Sequence, residues 1–273
     1  MLIIINADDL GLTHDSNMGI KQAFEHGMVT QTTVVSNSPF SEEGARIAHD
    51  LGIVDRVGLH LNLCECPTLT EPIRSFAKYM SAEDPTLFDF NPTYMEKETY
   101  GESPFVTYAQ SYLSEEFAAE VEALREEVAA QIDAFRGYGF TCNHIDAHRT
   151  TIVDLPIWLA AAPVIEEAGF STIRPVFDSF TRPDDIMNNA YLTWMAVEHA
   201  FSGLRSVGYT SSVMRFAKRR AQLLEDDPDQ TIEIYVHPIL EGGELLDNFS
   251  GGCLLEDNIA TLEGFERTSY YEL

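Results

Sequence analysis

The stretch Leu2-Ile3-Ile4-Ile5-Asn6-Ala7-Asp8-Asp9 decides the fold. An apolar run of this length reads as a buried strand, and it ends in two adjacent carboxylates. The same pattern recurs along the chain. Thr32-Thr33-Val34-Val35 runs into Ser36-Asn37-Ser38, and Val57-Gly58-Leu59-His60-Leu61 follows. Asn143-His144-Ile145-Asp146-Ala147-His148, Thr172-Ile173-Arg174-Pro175 and Ile232-Glu233-Ile234-Tyr235-Val236-His237-Pro238 complete the set. Helical patterns lie between these runs, near residues 14–26, 41–51, 114–136, 155–168, 184–203, 211–224 and 257–266. The third is the clearest: Phe117, Val121, Leu124, Val128, Ile132 and Phe135 are spaced by three or four, and Gly137 is the expected stop. Alternating strands and helices predict an α/β chain built on a parallel sheet or barrel. In such a barrel the reactive groups sit at the carboxyl ends of the strands. Asp8, Asp9, His60, His148 and His237 all fall there. Helix capping accounts for one or two of them, but not for the set.

The rhythm breaks between about residues 67 and 112. This insertion carries Pro67, Pro72, Pro85, Pro92 and Pro104 with Phe76, Tyr79, Phe88, Phe90, Tyr94, Tyr100, Phe105 and Tyr108. A loop so long is functional or disordered, and its aromatic content argues against disorder. Two roles suit it: packing onto the barrel, or a lid whose aromatic faces stack on sugar rings. Neither an internal repeat nor a low-complexity tail interrupts residues 1–273, so one domain is expected.

With 273 residues and 45% hydrophobic content, a large core is affordable. No apolar run reaches the length of a membrane span, and Met1 to Asn6 lacks the features of a signal peptide, so the expected location is the cytoplasm. The net charge of −27 disfavours nucleic acid and anionic phosphoesters as partners. Cys64, Cys66, Cys142 and Cys253 are expected to be reduced thiols, since the C-x-C pair has no second half to complete a metal site. There is no G-x-S-x-G elbow, P-loop or dinucleotide fingerprint.

Asp9, His60 and His148 make a set of one carboxylate and two histidines. Three such ligands hold a divalent metal and leave positions for water and substrate. A water beside the ion becomes acidic enough to lose a proton near neutral pH, and Asp8 is placed to take that proton. His237 can protonate a leaving amine, and Arg174 can hold Asp8 as an ion pair. His144, Asp146 and His148 share one face if the strand is regular, so Asp146 can orient a ligand histidine.

Asn6-Ala7-Asp8-Asp9-Leu10-Gly11, Gly58-Leu59-His60, His144-Ile145-Asp146-Ala147-His148 and Glu233-Ile234-Tyr235-Val236-His237-Pro238 resemble, in the same order, the blocks of the YdjC-like (ChbG-type) carbohydrate deacetylases. The resemblance implies a distorted β/α barrel of the polysaccharide-deacetylase type. It implies magnesium or zinc on Asp9, His60 and His148, Asp8 as base and His237 as acid. It also implies removal of acetyl groups from N-acetylated sugars, often by a homodimer. A catalytically silent carbohydrate-binding or regulatory protein of the same fold is the alternative. In the family the third block often continues as D-S-H-x-H-x-H. Here it reads Asp146-Ala147-His148-Arg149-Thr150-Thr151-Ile152. Arg149 brings a fixed positive charge where the family has a neutral imidazole, which predicts a substrate other than neutral chitobiose, one bearing a negative group.

Overall fold

The computed structural model describes residues 1–92, 112–176, 186–226, 229–249 and 251–273. Its centre is an eight-stranded sheet in which every pairing is parallel. The strands are β1 (Leu2–Leu10), β2 (Gln31–Val34), β3 (Val57–Leu61), β4 (His144–Ala147), β5 (Thr172–Ile173), β6 (Tyr209–Ser212), β7 (Thr231–Val236) and β11 (Glu266–Thr268). Their order is β5-β4-β3-β2-β1-β7-β6, and β11 pairs with Leu2, Ile3 and Ile4 of β1. The two ends of the sheet meet. Arg205, just ahead of β6, donates its N–H to Ser171 O and accepts at its own carbonyl from Ile173 N–H, both at 2.9 Å. That short seam closes the sheet into the distorted β/α barrel that the sequence implies.

Helices α1 (His14–Glu25), α2 (Ser41–Leu51), α3 (Glu115–Gly137), α4 (Leu155–Glu167), α5 (Ile186–Phe201), α6 (Val213–Asp226) and α7 (Leu255–Ala260) lie between the strands in sequence. None is long and apolar enough to cross a membrane among the described residues. Alternate residues of each strand divide between two environments. Ile3, Ile5, Leu59, Leu61, Ile145, Ile173, Ile232, Ile234 and Val236 join one large apolar core. Removing each such side chain from water contributes roughly 1.5–3 kcal/mol. The residues between them turn into the barrel. Ile4 packs there with Val207 and Tyr270 at one level. Beyond it the interior is polar: Asn6, Asp8, Thr33, His60, Asp146 and Glu233 are all buried. A barrel filled with polar groups needs internal partners for them, and those partners build the site described below.

His144 shows what this burial does. It stacks on Tyr270 with ring centroids 3.6 Å apart, its Nδ1 lies 3.2 Å from Thr172 Oγ1, and burial pushes its pKa down to about 3. The folded state therefore binds fewer protons than an unfolded chain whose histidine titrates near 6.5. The resulting stability is complete above about pH 6.5 and is lost as pH falls toward the folded value. His144→Phe, which keeps the stack, is expected to lessen the drop in unfolding free energy between pH 6.5 and pH 5 by about 1.5 kcal/mol. Urea titrations at both pH values check this, and equal drops in the two proteins would rule it out.

Three local readings of the sequence need correction. Gly137 is the last residue of α3 rather than its stop; the left-handed turn is made by Gly139, at φ 84°. The helix expected over 257–266 is short and early, at 255–260, because the chain must extend again to form β11. A second, antiparallel sheet of β8 (Pro238–Glu241), β9 (Glu244–Asp247) and β10 (Cys253–Leu254) follows β7, where Gly242-Gly243 gave only a turn. The cysteines are free, as expected, though Cys253 is exposed.

Within the insertion, Tyr79, Phe88 and Phe90 are buried in the main core, so these aromatics pack rather than cover a site. Glu127 of α3 ties the segment down by accepting from Leu69 N, Thr70 N and Thr70 Oγ1 at 2.8–3.1 Å. Tyr94, Tyr100, Phe105 and Tyr108 lie outside the described residues.

Candidate active site

The site begins with an irregularity in β1. Ala7 pairs with Thr32, yet Leu10 pairs with Val34, so three steps on β1 match two on β2. This bulge absorbs one extra residue, and Asp9 takes a left-handed φ of 72° to accommodate it. In a regular strand Asp8 and Asp9 would face opposite sides. Here both turn inward, 2% and 8% exposed. The turn beyond is fixed by Leu12 N–H and Ser16 Oγ–H, which both donate to Asp9 O.

The two carboxylates then separate by partner. Asp9 Oδ1 lies 3.0 Å from His148 Nδ1 and 3.3 Å from His60 Nε2, and those two nitrogens are 3.3 Å apart. Burial opposes a charge on Asp9, but His148 and His60 hold it well below the usual carboxylate range. Asp8 faces the other way. Arg174 grips it with two parallel bonds, Nη1 to Oδ2 at 2.7 Å and Nη2 to Oδ1 at 2.6 Å, and Asn6 Nδ2 donates to Oδ1 at 2.6 Å.

Arg174 also reaches Glu233 Oε1 at 2.9 Å through Nε and Asp146 Oδ2 at 2.6 Å through Nη2, so one guanidinium serves three buried carboxylates. Although burial disfavours its charge, these anions raise Arg174 well above its ordinary value. Burial pushes Glu233 up, with Arg174 acting against it.

Each histidine of the cluster is held from behind. His60 sits opposite Asp146 across the β3–β4 pairing, and its Nδ1 donates to Asp146 Oδ1 at 2.6 Å. That proton position, assigned from the neighbours, leaves Nε2 turned toward Asp9 Oδ1 and His148 Nδ1. Burial works against a charged His60, yet Asp146 and Asp9 push it up to about 10. β3 comes this close to β4 because position 58 is glycine: a Cβ there would meet His144 O at 2.9 Å and Thr33 Cγ2 at 3.0 Å. His148 lies just past β4, at the start of an irregular 3-10 stretch, His148–Val153. The shared strand face predicted for His144, Asp146 and His148 thus ends at Asp146. Asp146 orients His60, and His148 is oriented by Glu65, whose Oε1 is 2.8 Å from Nε2.

His237 follows β7. Its Nε2 lies 3.8 Å from Asp8 Oδ2 and 3.9 Å from Asp9 Oδ2, between the two functions. Its ring stacks on Phe249, 5.2 Å between centroids and 21° between planes. Phe249 is 48% exposed and also meets Tyr235 edge-on.

Asp9, His60 and His148 satisfy the geometry of a metal site. Ligands about 2.1 Å from an ion lie roughly 3.0 Å apart at a right angle and roughly 3.4 Å apart at a tetrahedral one. The observed edges, 3.0, 3.3 and 3.3 Å, fall in that interval. The clusters Asp8-His60-Asp146 and His144-Asp146-Glu233 also bring ligand atoms together. In both, however, the carboxylates already share the Arg174 guanidinium.

Sequence reasoning missed Glu65 and Phe249. Glu65 stands between two cysteines that drew the attention, and Phe249 sits in a turn. Arg149 also differs from expectation. Its Nη2 lies 3.5 Å from Glu65 Oε1 and its Nη1 donates to Asn91 Oδ1 at 3.1 Å. A neighbouring carboxylate thus matches its charge, and the argument for a negatively charged substrate loses its physical ground.

Comparison with known proteins identifies the family. The family profile described as YdjC-like protein matches residues 2–261. A carbohydrate deacetylase of Halalkalibacterium halodurans is 31% identical over 239 residues, 87% of this chain and 85% of the relative. Carbohydrate deacetylase 1 of Listeria innocua is 25% identical over 90% of this chain and 91% of its own. Among solved structures, a protein of Enterococcus faecalis V583 named for cellobiose-phosphate cleavage superposes with a TM-score of 0.65. It is 20% identical, and the match covers 99% of this chain and 97% of that one; this likeness speaks to the fold.

Proposed function

Because the chain belongs to the YdjC-like family, we propose that it is a metal-dependent deacetylase that removes acetyl groups from N-acetylated amino sugars. The observation that carries the reading is the triangle of Asp9, His60 and His148, with Asp8 and His237 placed beside it. Asp9 Oδ1, His60 Nε2 and His148 Nδ1 would hold the ion. Two imidazoles and one carboxylate suit zinc, and magnesium is the alternative implied by the family. A divalent ion in that place supplies Lewis-acid polarisation of the amide carbonyl and lowers the pKa of a water toward about 7.

The remaining work falls to side chains of the chain itself. Asp8 accepts the proton of the attacking water, and the Arg174 fork keeps its carboxylate aimed. His237, facing both aspartates, delivers a proton through Nε2 to the departing amine nitrogen. A silent sugar-binding protein would need neither Asp8 nor His237 in these positions.

The exposed face of Phe249 offers a flat apolar surface beside His237, the kind on which a pyranose ring lies. Phe249→Ala is expected to raise KM for an acetylated sugar about 3- to 10-fold, with kcat changed less. Phe249→Trp is expected to retain the wild-type KM. Steady-state kinetics separate the two constants; a fall in kcat at constant KM would mean that Phe249 only steadies His237.

The reading as a whole is tested by metal analysis and acetate release on a panel of N-acetylated amino sugars, for wild type and His148→Ala. Wild type is expected to carry a divalent metal and release acetate, and the variant to lose both. Acetate release that survives metal loss would overturn the mechanism, and sugar binding without release would favour the silent alternative.

A further inference from the structure

We infer that Glu65 is a positioning residue, the carboxylate that fixes His148 as an Nδ1 ligand and steadies the strained turn that follows it. The inference rests on the metal site proposed above. The two histidines of that site present opposite nitrogens: His60 offers Nε2 and His148 offers Nδ1. A neutral imidazole donates through one nitrogen and accepts through the other, so whatever holds the second nitrogen decides which one meets the metal. For His60 the holder is Asp146, fixed in the neighbouring strand. For His148 it is Glu65, with Oε1 2.8 Å from Nε2. Removal of such a partner typically weakens metal binding 10- to 100-fold.

The loop that delivers Glu65 is pinned by the side chain of Asn62. Asn62 Oδ1 accepts from Cys64 N and Glu65 N at 3.1 and 3.3 Å, and Asn62 Nδ2 donates to Glu65 O at 2.8 Å. Asn62 is itself clamped by Gln131 of α3, which accepts from Asn62 N at 3.0 Å and donates to Asn62 O at 2.7 Å. A side chain on a loop this constrained arrives at one place.

Glu65 also meets the residue after the ligand. Arg149 and Thr150 take φ values of 50° and 56°, two successive left-handed residues that are not glycine. That conformation is costly for side chains with a Cβ and persists only where the surroundings enforce it. The same Oε1 that holds His148 lies 3.5 Å from Arg149 Nη2. One carboxylate therefore touches both the ligand and the first residue of the turn that carries it. The Glu65 side chain is 42% exposed, so its substitution opens no enclosed cavity.

The test compares wild type, Glu65→Ala and Glu65→Gln by zinc affinity, measured in competition with a chelating dye. Glu65→Ala is expected to bind zinc about 10- to 100-fold more weakly. Glu65→Gln keeps an oxygen that accepts from Nε2–H and is expected to stay within about 5-fold of wild type. Imidazole nitrogen NMR of the zinc-loaded protein reads the cause directly. Wild type and Glu65→Gln are expected to show His148 bound through Nδ1 with Nε2 protonated. The melting temperature of the metal-free alanine variant is expected within about 4 °C of wild type. Equal zinc affinity in wild type and Glu65→Ala overturns the inference, as does a wild-type His148 bound through Nε2. A loss beyond about 1,000-fold in both variants also overturns it, because it would make Glu65 a ligand. A wild-type protein that binds no divalent metal at all instead defeats the proposed function, so the two failures are told apart.

Discussion

Asparagine in place of Asp8 is expected to lower kcat about 100- to 10,000-fold while zinc affinity stays near wild type. The separation follows from the bulge in β1, which assigns the adjacent aspartates to different partners. Asp9 Oδ1 lies within hydrogen-bond range of both His148 Nδ1 and His60 Nε2, at 3.0 and 3.3 Å, and Asp8 lies in the Arg174 fork. Asparagine keeps the size of the side chain and one oxygen for Arg174 to donate to, while its NH2 replaces the other accepting oxygen of the fork. What it loses is the capacity to accept a proton from the attacking water. Kinetics on an acetylated amino sugar, alongside zinc titration of the same preparations, check both halves. Near-normal kcat would remove Asp8 as the base; lost zinc affinity would mean that the two aspartates act as one unit.

The largest expected effect on stability comes from Arg174. Its side chain is 11% exposed, and Asp8, Asp146 and Glu233, with which it pairs, are 3% exposed or less. Arg174→Met leaves three buried carboxylates without their cation. Breaking a buried pair from one side costs about 3–5 kcal/mol, because the stranded charge cannot reach water. The deficit has a sign in pH. Burial already pushes Glu233 up, and without the guanidinium that acts against it Glu233 takes up a proton more readily in the folded state than in the unfolded chain. Such a group weakens the fold at high pH and does so less as pH falls. Urea unfolding at pH 7.5 and pH 5.5 should therefore show a larger gap from wild type at the higher pH. Arg174→Lys restores the charge but not the fork, and should recover part of the loss. A gap below about 1 kcal/mol at both pH values would show that the network is not under electrostatic load.

The barrel could be read from sequence because parallel strands buried on both faces are spelled in unusually direct terms. Ile3, Ile5, Ile145, Ile232 and Ile234 face the outer core, and they stand out in any window. The strand ends could be read for the same reason, since Asp8, His60 and His237 interrupt that apolar spelling. What could not be read was register. His60 and Asp146 are 86 positions apart and become direct neighbours only through the β3–β4 alignment. With that alignment unknown, the sequence assigns Asp146 to a ligand histidine without saying which one. The Glu65–His148 contact spans 83 positions and joins a loop to a strand end, so no local period announces it. The small antiparallel sheet after β7 was hidden by its size, since β8 and β9 have four residues each and β10 has two.

The bulge at Asp8 and Asp9 has a consequence for how this chain could change. Deleting one of the two aspartates would let β1 and β2 pair without a step and would spare residue 9 its left-handed backbone. The sheet would gain regularity at the moment the site lost a member. Natural variants that have drifted out of catalysis should therefore be recognisable by a mended first strand, and efforts to stabilise the protein should leave this defect alone.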